Sequence, residues 1–212
     1  MISRPLCVGL ALAALLGTLR SSLSRAEDNE AGAATFARRL MSPNGEERAR
    51  AFAELMKARE KSADSLLIVA HSTGDEPHQV YARQQAIVAI GELRAVEGIA
   101  FLARHLTCSF GTASWHAHPL DRYPAARSLW KIGSPAVPAV LGRLNVDISQ
   151  EEINVIAWWV YSLDGKELGL ARLKLELETG KKVPDKRRAN LMRLIEVYQS
   201  IDSADMRQWP RP

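Results

Sequence analysis

Apolar residues recur along this chain at the spacing of helical hairpins, and this recurrence limits the folds that the chain can adopt. Leu55, Ile90, Ile132 and Leu163 occupy the same place in four successive helical patterns, at spacings of 35, 42 and 31 residues. Such lengths fit units of two helices, each of which buries its apolar faces only by stacking on its neighbours. No segment sustains a period-two alternation of apolar and polar residues, so we predict no β-sheet. The sequence therefore predicts an all-α fold.

The second and third units have the clearest patterns. In the second unit, the helix that carries Ile90 is followed at once by Gly91. We place this glycine at a C′ position, where the backbone turns left-handed and a Cβ would be costly. In the third unit, Gly133 ends the first helix, and Ser134 and Pro135 open the second, because proline is tolerated in a first turn.

The first and fourth units follow the same scheme. Residues 42–45, Ser-Pro-Asn-Gly, are a turn and helix-start signal before the second helical pattern. Ser149 and Glu152 have the spacing of a capping box. Gly165, after an aspartate, breaks the helix that begins at Ser149. A last helix over about residues 185–201 would close the array.

Two stretches resemble the bacterial short HEAT-repeat family. They are residues 80–106, VYARQQAIVAIGELRAVEGIAFLARHL, and residues 123–144, YPAARSLWKIGSPAVPAVLGRL. Both have the family's Ala-rich first helix ending in Ile-Gly, a tight turn, and a Leu/Val-rich second helix. The resemblance implies a short right-handed α-solenoid of about four HEAT-like (armadillo-like) helical hairpins with a C-terminal capping helix over residues 35–201. The composition of residues 202–212 predicts an irregular tail.

The same resemblance has a limited bearing on chemistry, because a fold does not by itself imply a function. The family includes bilin lyases and a di-iron hydroxylase, and the hydroxylase type holds its metals with His-Glu pairs repeated across the hairpins. This chain contains no His-Glu pair. The resemblance therefore implies the fold and counts against that chemistry.

The N-terminal segment has the pattern of a secretory signal. Arg4 is followed by an uncharged run over residues 5–19, which is too short to span a bilayer comfortably, and Ser24 and Ala26 form a small-x-small site. We expect cleavage after Ala26, a flexible start at residues 27–34, and a periplasmic or extracellular location. The alternative is an uncleaved anchor or a buried first helix.

Cleavage would change the charge of the chain. Removing residues 1–26 takes away three arginines and no acid, which reduces a formal net charge of +4 to +1, with 25 basic and 24 acidic residues. A nearly neutral chain gives little general attraction to nucleic acid or anionic membranes. We therefore expect a protein or peptide partner, no nucleic acid and no integral membrane span after cleavage, and leave the oligomeric state open.

The loop at residues 107–121 combines side chains that bind metals: Cys108, His116, His118 and Asp121. The His-x-His spacing can place two imidazoles on one side of an extended segment. The alternatives are a polar surface loop and a buried Cys108, and no second cluster completes a strong metal signature. A metal-binding protein or metal-dependent enzyme that uses this loop is our alternative function. Otherwise we predict no cofactor and no catalytic residue.

The second helices of a solenoid commonly line its partner-binding face. Aligning Leu106 with Leu144 puts His105 and Arg143 at equivalent exposed positions, next to Arg104. These three residues are candidate partner contacts, and a solvated helix face is the alternative. The first-choice function is thus a non-catalytic protein–protein interaction or scaffolding module that acts outside the cytoplasm.

The pair Trp158-Trp159 is the other unusual feature. Both indoles cannot share one narrow stripe of a helix. Packing between two buried faces is one interpretation, and an exposed aromatic anchor for a partner is the other. Trp158 therefore joins the candidate partner contacts.

The signal-peptide hypothesis predicts the N-terminus of the exported protein. We expect the chain recovered from outside the cytoplasm to begin at Glu27, because a signal peptidase cuts after the small residue Ala26. Intact-mass spectrometry of the exported protein measures this directly. A recovered chain that retains residues 5–19 would support the uncleaved anchor instead.

Overall fold

The computed structural model describes residues 32–58, 62–110, 119–179 and 184–201. Within these ranges all regular secondary structure is helical and no strand occurs. The prediction of an all-α fold is confirmed for this part of the chain. The predicted signal at 1–26 and the irregular tail at 202–212 lie outside the described residues.

Nine helical segments, joined mostly by short turns, make up the described chain. They are α1 (32–40), α2 (Gly45–Ala58), α3 (Ala63–Ala70), α4 (Pro77–Glu92), α5 (Ile99–Arg104), α6 (Pro124–Ile132), α7 (Val137–Gly142), α8 (Gln150–Thr179) and α9 (Asp185–Ser200). Helix α1 already includes residues 32–34, which we had assigned to a flexible start. Short 3-10 turns at Val96–Gly98 and Ser134–Ala136 lead into α5 and α7.

Two predicted helix starts are confirmed by their caps. The Asn44 Oδ1 atom accepts a hydrogen bond from the backbone N–H of Glu46 at 2.9 Å, at the start of α2. The Ser149 Oγ atom accepts one from the backbone N–H of Glu152 at 3.0 Å, at the start of α8. Each cap satisfies an N–H group that has no partner inside its helix.

Glycine marks two helix ends as predicted, but not the third. Gly133 and Gly165 have φ angles of 83° and 72°, and Gly165 interrupts α8 with a non-helical backbone. The C′ prediction for Gly91 is wrong, because this residue is buried inside α4 and the positive φ of that turn, 53°, falls on Arg94. A Cβ at Gly91 would lie 2.6 Å from the Cα of Ser128 in α6. The glycine serves a close helix contact and not a turn.

Alternate helices along the described chain pack against each other. Helix α4 packs on α6, α6 on α8, and α5 on α7, while α9 covers α8. Of the four residues that defined the repeat, Leu55, Ile90 and Ile132 are buried, and Leu163 is half-buried against the core. Burying one such aliphatic side chain contributes about 1.5–3 kcal/mol. The apolar spacing in the sequence thus corresponds to one continuous core across the described units.

The contact at Gly91 gives a stability prediction. Gly91→Ala should lower the free energy of unfolding by about 1–3 kcal/mol, because the added methyl group overpacks the contact with Ser128. Urea denaturation followed by circular dichroism measures the change.

Gly142→Ala is the matched control for this variant. Gly142 has a φ of −60°, and a Cβ there would meet no atom within 4 Å. Alanine should therefore leave stability unchanged or raise it by up to about 1 kcal/mol. Equal effects of the two substitutions would show that the Gly91 contact does not matter.

Candidate functional site

Three residues that can carry positive charge directly follow three short helices that alternate along the chain, α3, α5 and α7. His71 is the C-cap residue of α3, His105 of α5 and Arg143 of α7. The sequence alignment paired His105 with Arg143, and the structure adds His71, which sequence reasoning missed. The available signal was that an apolar run ends at His71 as another ends near His105. We call His71, Phe101, Arg104, His105 and Arg143 the helix-end cluster.

An aromatic contact joins two of the helix ends. The ring centroid of Phe101 lies 4.4 Å from that of His71 and 4.5 Å from that of His105. Phe101 is buried, whereas both histidines keep a large part of their surface exposed. The Nδ1 atom of His71 is 2.8 Å from the carbonyl oxygen of Leu67. Because a carbonyl can only accept, Nδ1 carries the proton and Nε2 of the neutral ring is left as an acceptor.

The cluster is electropositive. Partial burial lowers the pKa of His105 from 6.5, and the positive charges of Arg104, His71 and Arg143 lower it further. Arg143 is neutralised in part, because its Nε atom donates to the Glu152 carboxylate at 2.8 Å. Arg104 is exposed, and its Nε atom donates to the carbonyl oxygen of Ala100 at 3.2 Å. Among the described residues, no carboxylate forms an ion pair with Arg104.

The three tryptophans within the described residues belong largely to the core. Trp159 is fully buried, and Trp130 is buried with its Nε1 atom donating to the carbonyl oxygen of Ser162 at 3.2 Å. Trp158 is half-buried and packs against the core. Its placement agrees with the packing interpretation, and its role as a partner contact stays a prediction.

The predicted metal site falls only partly within the described chain. Cys108 is half-buried, and its backbone N–H donates to the carbonyl oxygen of His105 at 3.0 Å. The carboxylate of Asp121 forms an ion pair with Arg127. His116 and His118 lie outside the described residues. Over the ranges that the structure does describe, no three His, Cys, Asp or Glu side chains come together as metal ligands would, and the metal hypothesis stays a prediction.

The chain matches no protein-family model, no curated protein and no solved structure. None of the described helices combines the length and the hydropathy needed to cross a membrane.

The charges around His105 predict its titration. We expect its pKa below 6.5, and we expect Arg104→Gln to raise it, because this removes one of the charges that disfavour the imidazolium. Arg188→Gln, on the exposed start of α9, is the matched control and should leave the pKa of His105 unchanged. Two-dimensional NMR titration of the imidazole resonances measures both values.

The same shift has a defined effect on stability. The folded protein binds fewer protons at His105 than the unfolded chain does, so this residue contributes stability that is fully present above pH 6.5. That stability is lost as the pH falls from 6.5 through the folded-state pKa. A measured pKa of His105 at or above 6.5 would contradict the prediction that burial and the neighbouring positive charges lower it.

Proposed function

We propose that the protein is a non-catalytic interaction module that binds an acidic segment of a protein or peptide through the helix-end cluster. The observation that carries the proposal is the positive charge at the ends of α3, α5 and α7, most of which is exposed. Arg104 has no carboxylate partner among the described residues, and His105 gains charge as the pH falls. Carboxylate side chains of a partner would form ion pairs with these positive charges.

We also propose that the helices form a short right-handed solenoid of about four HEAT-like hairpins, closed by α9. The packing of α4 on α6, α6 on α8 and α5 on α7 supports this arrangement, since stacked hairpins bring like helices together. In such an array α3, α5 and α7 are second helices that share one face. The helix-end cluster would then lie along the face that solenoids commonly use for partners.

The proposed setting is the periplasm or the cell exterior, on the strength of the signal pattern at residues 1–26. A nucleic-acid partner is disfavoured by the small number of charges in the cluster. DNA-binding proteins of high salt dependence make roughly 6–10 phosphate contacts, whereas this cluster offers two arginines, one of them paired with Glu152. A short acidic peptide segment fits such a patch better.

Peptide display tests the proposed function. Random peptides selected on the immobilised protein at pH 6 should be enriched in Asp and Glu, and their affinity should rise as the pH is lowered through the pKa of His105. Arg104→Glu should weaken the selected peptides by about tenfold, because it places a like charge against them.

Arg188→Glu is the matched control, since it reverses the charge of an exposed arginine on α9 that is not part of the cluster. It should leave the affinity nearly unchanged. Selected peptides without an acidic bias, or an equal loss of affinity in both variants, would sink the proposal.

A further inference from the structure

A groove of about 420 Å³ lies between α2 and α4, and none of its lining residues belongs to the helix-end cluster. Its apolar part is formed by Leu40, Phe52, Leu66 and alanines of α2 and α4. Its polar side chains are those of Arg48, Tyr81 and Gln85. The volume falls in the range of roughly 300–1,000 Å³ that is typical of small-ligand sites.

Arg48 is fixed in place at this groove. Its Nη1 atom donates to the backbone carbonyl oxygens of Ser42 at 2.7 Å and Pro43 at 2.9 Å. Its guanidinium carbon lies 5.9 Å from the ring centroid of Tyr81, whose side chain is 52% exposed. A cation held in this way loses little freedom when a ligand binds, which favours affinity.

The charge of Arg48 is not neutralised within the described chain. No described carboxylate forms an ion pair with it, and its Nε atom is buried without an acceptor. The three acids of α2 are engaged elsewhere, Glu46 by Arg50, Glu47 by Ser42 and Glu54 by Arg39. The guanidinium thus keeps an unneutralised positive charge beside the groove, and an anionic ligand there would be favoured by a charge-assisted hydrogen bond.

The walls of the groove decide which kind of anion fits. Its lining residues lie almost entirely on helices, whose interior N–H and C=O groups are already hydrogen-bonded along the helix. An extended peptide main chain laid into the groove would find no free backbone partners on these helices. A hydrocarbon tail has no such groups, and it gains from contact with Phe52 and Leu66.

We propose that this groove binds an amphiphilic aliphatic monocarboxylate. The carboxylate would pair with the guanidinium of Arg48, and the hydrocarbon tail would cover the apolar part between α2 and α4. This is a second binding site, independent of the acidic-peptide site proposed for the helix-end cluster.

Isothermal titration calorimetry of the purified protein with decanoate, decanol and decylamine tests the chemistry of the ligand. We expect decanoate to bind and decanol to bind at least about tenfold more weakly, because only the carboxylate forms charge-assisted hydrogen bonds with Arg48. Decylamine should not bind measurably. Decanol or decylamine binding as tightly as decanoate would overturn the proposal, as would tighter binding of a leucine-rich peptide through its terminal carboxylate.

Arg48→Met tests the residue, since it keeps an aliphatic stem and removes the charge. Decanoate affinity should fall by about tenfold or more. Arg50→Met is the matched control on the same helix, where the arginine is exposed and paired with Glu46. Its decanoate affinity should remain that of the unchanged protein, and loss of affinity in both variants would overturn the assignment to Arg48.

Arg48→Met also removes the hydrogen bonds to the turn before α2, so circular dichroism must show that the variant is folded. Ala49→Trp supplies an independent test, because Ala49 is an exposed lining residue and its substitution leaves the contacts of Arg48 in place. The indole should fill the groove and abolish decanoate binding. Retained binding in folded Ala49→Trp would overturn the proposal, and peptide binding at the helix-end cluster should survive in every groove variant.

Discussion

The close contact of α4 with α6 at Gly91 and Ser128 is the constraint from which the arrangement of the central helices follows. The missing Cβ of Gly91 allows the two helix backbones to approach. The Ser128 hydroxyl donates to the carbonyl oxygen of Ile87 at 2.8 Å, so a buried polar group is satisfied within the contact. Ile90 and Leu129, beside these residues, are completely buried. Small residues and a satisfied hydroxyl thus permit the burial of large aliphatic ones.

This contact also bears on the functional surfaces. Because α4 and α6 are held together, the helices that follow them, α5 and α7, pack on each other as well. That packing places His105 within electrostatic reach of Arg143. Between α2 and α4, in contrast, space remains for the groove at Arg48. A tightly packed set of helices and a more open one therefore coexist in the same chain, and each carries one of the two proposed binding surfaces.

The sequence was sufficient where a structural signal is local. Helix starts at Asn44 and Ser149 and the break at Gly165 were predictable, because capping and left-handed backbone depend on neighbouring residues. The assignment of Gly91 failed, since a glycine that precedes a turn looks the same whether it serves that turn or a contact with a distant helix. The groove at Arg48 could not be predicted from the sequence either. Its walls come from separate helices, and the engagement of nearby acids by other groups is a tertiary property.

The two proposed surfaces show why net charge is a poor guide to what this chain can bind. After residues 1–26, the numbers of basic and acidic residues are nearly equal. Several arginines form ion pairs, for example Arg172 with Asp164 and Arg187 with Glu176. Arg48 and Arg104 lack such a partner among the described carboxylates. Arg48 is held by hydrogen bonds beside an apolar groove. Arg104 is exposed and lies near the ionisable ring of His105. On the two proposals made above, the same charge would select an amphiphile at one surface and an acidic segment at the other.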